Sequence, residues 1–329
     1  MNLSVVLPVY NSTATLRPLV ERLVAVLDGL GRSYEIVFVD DGSRDDSWEL
    51  LCQLQREHPG RIVAIQLMRN FGQHNALMCG FRHTQGRYVV TLDDDLQHPP
   101  EELPKLLATI ETGRFDLVYG SADLRQQRVW RNLGSWVVNL VYRTLFRTTV
   151  TISSFRIIRR ELLEAMLSYT LNYTFVDGLL AWNTQRIGEV IVEHHPRRTG
   201  RTGYSLSKLI VLALNLFTNF SLLPLQLVSL VGFAAAAAGL MTGAYYLVLF
   251  LRDGIGVPGY ASTIVSILVL GGIQLLSLGI MGEYLGRLHL NVNRKPQYTI
   301  RNVSASRVEE SPLPHALVES PTAAMERNV

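Results

Sequence analysis

Over roughly the first two hundred residues, short apolar runs alternate with stretches whose apolar residues recur every three or four positions. Leu3-Ser-Val-Val-Leu-Pro-Val-Tyr-Asn11 reads as a strand, because a short run of apolar, β-branched residues closed by a turn residue suits a strand buried on both faces. Leu16, Leu19, Val20, Leu23, Val26 and Leu27 then keep helical spacing. Strand and helix patterns recur at Tyr34 to Asp40, Ile62 to Met68, Asn75 to Thr84, Tyr88 to Leu92, Glu101 to Glu111 and Asp116 to Gly120. A short strand is expected within Thr151 to Arg160, followed by a helical pair and a run from Val190 to Pro196. Strands alternating with helices of this length imply parallel crossovers, so the fold class is α/β with a doubly wound, mostly parallel sheet.

The pattern then changes. No charged residue occurs from Leu209 to Leu251 or from Gly254 to Gly282, whereas one bilayer crossing needs only about 20 apolar residues. The first stretch is too long for a single span and Pro224 divides it, which predicts an interfacial juxtamembrane helix over 209–224 and two transmembrane helices within 225–290. A catalytic domain over 1–208 and a C-terminal segment over 291–329 complete the expected organisation. That segment is expected to be disordered from about Asn302, since its Ser/Pro/Glu-containing sequence has no periodicity. Leu3 to Tyr10 is too short for a signal peptide. One basic residue, Arg252, lies between the spans, while Arg287, Arg294 and Lys295 follow the second. The positive-inside rule puts the large domain and both termini on the cytoplasmic side of the membrane.

Composition adds limits. With 329 residues, 48% of them hydrophobic, the chain can bury a full domain and still supply the spans. A net charge of +3 argues against a nucleic-acid partner. Lysine occurs only at Lys105, Lys208 and Lys295, an arginine bias that codon usage explains as well as phosphate binding does. Cys52 and Cys79 lack metal-ligand spacing and fit a reducing compartment.

Polar clusters close the first, second and fourth strands: Pro8, Tyr10 and Asn11; Asp40 and Asp41; Asp93, Asp94 and Asp95. In open α/β sheets ligands bind beyond the carboxyl ends of the strands, so three such clusters are expected to line one crevice. The run Asp93-Asp-Asp95 is the sharpest signal. Adjacent carboxylates repel, and a divalent cation with oxygen ligands would hold them together while leaving positions for diphosphate oxygens; a solvated acidic turn is the plainer alternative. Strand alternation predicts Asp93 and Asp95 on one side and Asp94 on the other.

Thr91-Leu-Asp-Asp-Asp-Leu-Gln-His-Pro-Pro-Glu101 resembles the metal-binding motif of glycosyltransferase family 2, in the version of its polyprenyl-phosphate glycosyltransferases. The likeness extends to Arg69-Asn-Phe-Gly-Gln-His-Asn-Ala-Leu-Met-Cys-Gly80, to Ser153-Ser-Phe-Arg156, to Arg197-Arg-Thr-Gly-Arg-Thr-Gly-Tyr-Ser205, and to the ending Glu283-Tyr-Leu-Gly-Arg287 with Arg294-Lys-Pro-Gln-Tyr298. It implies a GT-A-like domain that moves one sugar from a nucleotide-sugar to a polyprenyl phosphate, with Mg²⁺ or Mn²⁺ as cofactor. The resemblance assigns Pro8, Tyr10, Asn11, Asp40, Asp41 and Asp94 to the donor, and Asp93, Asp95 and Gln97 to the metal. Gln73, and His74 beside it, either touch the donor or cap a helix start. Arg125, Arg128 and Arg131 are carried over as diphosphate and lipid-phosphate contacts, Arg131 with the best alignment; on a helix the same residues would be plain solvated charges. Arg198, Arg201 and Ser205 belong to a Gly-rich basic loop suited to a diphosphate, and equally to anionic lipid. The resemblance also implies a bacterial inner-membrane location and a homo-oligomer, up to a tetramer.

Many relatives place an Asp a few residues before the Phe of the short strand, where this chain has Val150, Thr151, Ser153 and Ser154. Inversion by direct attack of the lipid phosphate, without a protein base, is therefore expected; Asp94 and Asp177 are the rival bases. A processive synthase would carry Gln-x-x-Arg-Trp, and Gln126-Gln-Arg-Val-Trp130 does not fit it. A transferase acting on a glycolipid or protein acceptor is the runner-up, and a catalytically dead scaffold would be expected to lose the acidic run.

Overall fold

The computed structural model describes residues 1–122, 150–170, 174–195, 223–253, 259–293 and 295–305. Its centre is an eight-stranded sheet of order β7-β5-β6-β4-β1-β2-β3-β8. The strands are β1 (Leu3–Val9), β2 (Tyr34–Asp40), β3 (Ile62–Leu67), β4 (Tyr88–Thr91), β5 (Leu117–Ala122), β6 (Arg156–Arg159), β7 (Ile187–Val192) and β8 (Ile300–Ala305). β1 pairs in parallel with both β2 and β4, β2 with β3, and β5 with β7, while β6 and β8 run antiparallel to their neighbours. This is the expected GT-A-like α/β sheet, mixed by two reversed strands.

Helices α1 (Thr13–Gly29), α2 (Ser47–Glu57), α3 (Gln73–Arg82), α4 (Leu103–Glu111), α5 (Arg160–Leu167) and α6 (Val176–Asn183) cover the sheet. Because the central strands are apolar on both sides, two cores form. Leu16, Leu19 and Leu23 of α1 and Leu106 and Ile110 of α4 pack with Val5, Leu7 and Phe38 on one face. Met78 and Phe81 of α3, Leu163 of α5 and Leu180 of α6 pack with Val6, Val37 and Ile65 on the other. At Gly80 an added Cβ would lie 2.4 Å from Val6 Cγ1, so the bare backbone is what lets α3 approach the sheet closely. Cys52 and Cys79 are free thiols, the latter buried, as expected.

Helices α7 (Leu223–Asp253) and α8 (Tyr260–Val292) lie against each other. Each contains a window long and apolar enough to cross a membrane, Leu225–Tyr245 and Val269–Gly286. Leu230, Phe233, Leu240 and Leu275 are exposed on them, an arrangement that suits lipid. Pro224 falls in the first turn of α7, where its missing N–H costs nothing. The expected interfacial helix over 209–224 lies, up to residue 222, outside the described residues.

One expectation is corrected over a few residues. Residues 303–305 are not irregular, since β8 runs to Ala305 and pairs antiparallel with β3, Val63 opposite Ala305 and Ile65 opposite Val303; the rest of the expected disordered segment lies outside the described residues. Around it Met68 N donates to Thr299 O at 2.9 Å, Asn302 Nδ2 to Gln66 Oε1 at 2.9 Å, and buried Gln297 Nε2 to Thr174 Oγ1 at 3.2 Å. β8 is an edge strand held from one side only, so it lacks the apolar run that marks a central strand. The globular domain therefore includes chain from beyond α8.

Candidate active site

β4, β1 and β2 are adjacent, and their carboxyl ends bring the three polar clusters together. A cleft of about 430 Å³ opens there, lined by Pro8, Val9, Tyr10, Asp41, Asn70, Gly72, Gln73, Asp93, Asp94 and Asp95. Thus Pro8, Tyr10, Asp41, Asp93, Asp94 and Asp95, from the three strand-end clusters, line one cleft, together with Gln73. Four carboxylates line this wall and, among the described residues that do so, there is no Lys or Arg.

The turns that build the wall are tied to one another. Asn11, at φ 54°, donates its N–H to Ser43 Oγ at 2.9 Å and accepts from Arg44 N at 2.8 Å, joining the ends of β1 and β2. Asp40 is fully buried. Its Oδ1 accepts from Ser43 N at 3.1 Å, while Oδ2 has no partner of normal geometry, although the Gln66 amide nearby favours the charged form. Burial is the larger effect and raises this carboxyl above the ordinary range. Asp41 accepts from Phe71 N at 2.7 Å and Gly72 N at 2.8 Å, so its side chain fixes the turn leading into α3. Gly42, at φ +70°, is pressed against that turn: an added Cβ would stand 2.6 Å from the Arg69 carbonyl carbon. Burial, with the charge of Asp40, pushes Asp41 up to about 6 against the pull of the two N–H groups and Arg69.

β4 ends at Thr91, so strand alternation does not aim the acidic run; each carboxylate answers to its own donors. Asp93 accepts from Gln73 Nε2 at 2.7 Å and Ser154 Oγ at 2.6 Å. Asp94 is turned to the end of β1, accepting from Ser12 Oγ and from Tyr10 N at 3.3 Å. Asp95 accepts from Gln97 N at 3.1 Å and Gln97 Nε2 at 2.8 Å. Burial, despite Ser154 and with help from Asp95 and Asp94, raises Asp93 to about 6; Asp94 is raised for the same first reason. Leu96, between the last of these groups, sits at φ 61°, a costly conformation for a leucine, and packs on the apolar core. His195 N donates to Gln97 O at 2.8 Å, so the chain after β7 braces the acidic loop.

His74 lies behind Gln73, edge-on to Phe175 with ring centroids 5.3 Å apart. Burial lowers its pKa to about 4, so it is neutral and holds no phosphate by charge. Asp177 is 5% exposed, paired with Arg156 and bonded by Tyr119 OH at 2.8 Å, which removes it as a base able to meet substrate. Arg125, Arg128, Arg131, Arg198, Arg201 and Ser205 lie outside the described residues. Sequence reading gave no site role to Ser12, Asn70, Gly72 or the group around Ser154; Asn70 and Gly72 lie within the segment that carries the family likeness, and the Ser before Phe155 was noted for the Asp it replaces, but their neighbours in space come from elsewhere in the chain.

A divalent ion fits this donor set in one way. Among the described residues no three His, Cys, Asp or Glu side chains converge on a ready-made metal position. Mg²⁺-like ions commonly take one or two carboxylates and complete their shell with water and substrate phosphates, which the open cleft beside Asp93 and Asp95 allows.

A crossover sheet with an acidic cleft at its strand ends is what a GT-A-like glycosyltransferase presents, and the comparisons with known proteins agree on the family. The chain belongs to glycosyl transferase family 2, whose model matches residues 4–167, and is a glycosyltransferase. Over nearly its whole length it is similar to proteins named undecaprenyl-phosphate 4-deoxy-4-formamido-L-arabinose transferase. That of Pseudomonas paraeruginosa is 40% identical over 320 residues, 95% of this chain and 93% of the relative. That of Salmonella paratyphi A is 37% identical over 322 residues, 94% and 96% of the two chains. A more distant likeness in structure, at 22% identity and a TM-score of 0.49 over 66% of this chain and 77% of the other, is to glucosyl-3-phosphoglycerate synthase from Mycobacterium tuberculosis.

Proposed function

We propose that the protein transfers a single sugar from a UDP- or GDP-linked donor to undecaprenyl phosphate at the cytoplasmic face of a bacterial inner membrane. The observation that carries this is the cleft at the ends of β4, β1 and β2, with four carboxylates on its wall, in a chain that also carries two apolar helices. The names of relatives about 40% identical over 95% of the chain support the acceptor.

The donor's base and ribose lie against Pro8, Tyr10 and Asn11, with buried Asp40 behind them holding the Ser43 turn. Asp95, assisted by Asp93 and Gln97, would hold Mg²⁺ or Mn²⁺, which when bound neutralises charge on the departing diphosphate. Arg131, with Arg125, Arg128, Arg198, Arg201 and Ser205, serves the diphosphate and the lipid phosphate. Attack by a lipid phosphate oxygen forms the new bond to the anomeric carbon as the bond to the nucleoside diphosphate breaks, with inversion. No proton has to move: a phosphate monoester has a second pKa of about 6 and is mostly dianionic at neutral pH. The chain's work is alignment, which the separately fixed carboxylates and the braced acidic loop provide. Both termini and the catalytic domain are cytoplasmic, and the enzyme works as a homo-oligomer.

The test is to supply purified enzyme with undecaprenyl phosphate and a panel of UDP- and GDP-sugars, 4-deoxy-4-formamido-L-arabinose first, and to follow the lipid product by mass spectrometry. Asp95→Asn should abolish transfer while leaving thermal unfolding in detergent unchanged. Transfer by that variant in EDTA at the wild-type rate would refute the metal reading, and a glycolipid or protein acceptor used in place of undecaprenyl phosphate would refute the acceptor.

A further inference from the structure

Behind the acidic run lies a chain of polar groups that the proposed reaction does not use. Arg156, at the start of β6, is 1% exposed and paired with Asp177, which Tyr119 OH also bonds. Arg156 Nε donates to Thr91 Oγ1 at 3.1 Å, and Thr91 Oγ1 donates to the backbone carbonyl of Ser154. Ser154 Oγ in turn meets Asp93 Oδ2 at 2.6 Å. The directions in this chain are forced. A guanidinium only donates, so the Thr91 hydroxyl must accept from it and spend its own proton on the Ser154 carbonyl; an ionised carboxylate only accepts, so Ser154 must donate to Asp93.

We propose that Ser154 is the positioning residue for Asp93, anchored through Thr91 by the buried Arg156–Asp177 pair. The inference rests on the reading of Asp93 as part of the donor and metal site. Three features carry it. First, stability does not account for the pair, because apolar residues of similar volume commonly replace a buried ion pair at no loss, whereas an ion pair that fixes a neighbouring hydroxyl has a directional task. Second, Thr91 and Asp93 lie on either side of Leu92, so the segment before β6 is fastened to the end of β4 twice, once through the Ser154 carbonyl and once through its hydroxyl. Third, the other hand on Asp93 is Gln73, which is exposed in the first turn of α3 and, among the described residues, has no comparable support. Without Ser154 the carboxylate would be free to swing with Gln73; with it, Asp93 is held at one place on the cleft wall.

A double-mutant cycle decides the matter. Ser154→Ala, Ser154→Thr, Asp93→Asn and Ser154→Ala/Asp93→Asn are prepared as full-length protein, and Mn²⁺ affinity is read by electron paramagnetic resonance in the presence of UDP and of GDP, alongside kcat and KM for transfer. Ser154→Ala should weaken Mn²⁺·nucleotide binding or kcat/KM by roughly tenfold, the loss of one hydrogen bond to a charged group. Ser154→Thr, which keeps the hydroxyl, should restore most of that, and Ser154→Ala should cost nothing further once Asp93 is Asn. Equal losses from Ser154→Ala in both backgrounds would overturn the positioning role alone. Wild-type metal binding and turnover by Asp93→Asn would overturn the reading of Asp93 on which it rests.

Discussion

Replacing Asp41 by Asn separates what a charge does for stability from what it does for the site. The carboxylate is 3% exposed and accepts two backbone N–H groups, from Phe71 at 2.7 Å and Gly72 at 2.8 Å. An amide can accept only one of them and turns its NH₂ toward the other, leaving a buried donor unsatisfied at about 1–3 kcal/mol. Against this stands the charge itself. Burial raises Asp41 from 3.8 to about 6, and a shift of that size disfavours the ionised folded state by about 3 kcal/mol at neutral pH. The sign follows from linkage: a raised folded pKa gives stability that is complete below the ordinary carboxylate pKa and is lost as pH rises through about 6. At pH 4 the wild-type group is protonated, so Asp41→Asn shows only the lost bond and is destabilised. At pH 7 the variant is relieved of the charge, and the two effects come close to cancelling. Thermal unfolding in detergent at the two pH values reads this directly, at roughly 2–4 °C per kcal/mol for a domain of this size. At pH 7 the midpoint should be unchanged or higher while donor binding falls, because the Phe71–Gly72 turn has lost one of its two ties. A loss of more than about 2 kcal/mol at pH 7 would show that the charge stabilises the fold and that burial does not dominate Asp41.

Two further predictions concern the frame. Gly42→Ala places a Cβ against the Arg69 backbone at a positive φ, so it should cost about 1–3 kcal/mol and weaken donor binding together, as read by thermal unfolding and nucleotide titration. Ending the chain after Asn293 removes β8, Gln297 and Tyr298 and bares the edge of β3; it should lower the unfolding midpoint and promote aggregation in detergent, whereas ending it after Ala305 should do neither.

What was legible in the sequence is what the sheet imposes locally. Leu3 to Val9, Tyr34 to Asp40 and Tyr88 to Thr91 are apolar because each is buried on both faces, and each stops at a polar residue because it ends at the cleft. One physical cause writes both signals, so strand and site could be read together. Two things were not legible. β8 is covered on one side only and has exposed Arg301, Asn302 and Val303, a pattern that a turn-rich tail shares. The aim of the acidic run depends on donors far away in sequence: Ser12 for Asp94, and Ser154 with Gln73 for Asp93. No periodicity carries such contacts, and strand alternation stops applying where β4 ends. A hydrogen bond constrains the residue type at both ends but its spacing at neither, so Val150, Thr151, Ser153 and Ser154, read for the Asp they lack, did not show what Ser154 touches. In the folded chain a carboxylate at that position would face Asp93 at hydrogen-bonding range, adding a like charge to a wall that already holds four. A hydroxyl there can donate to Asp93 instead, and the proposed attack by a dianionic lipid phosphate leaves room for it, since in that reading no side chain has to take a proton.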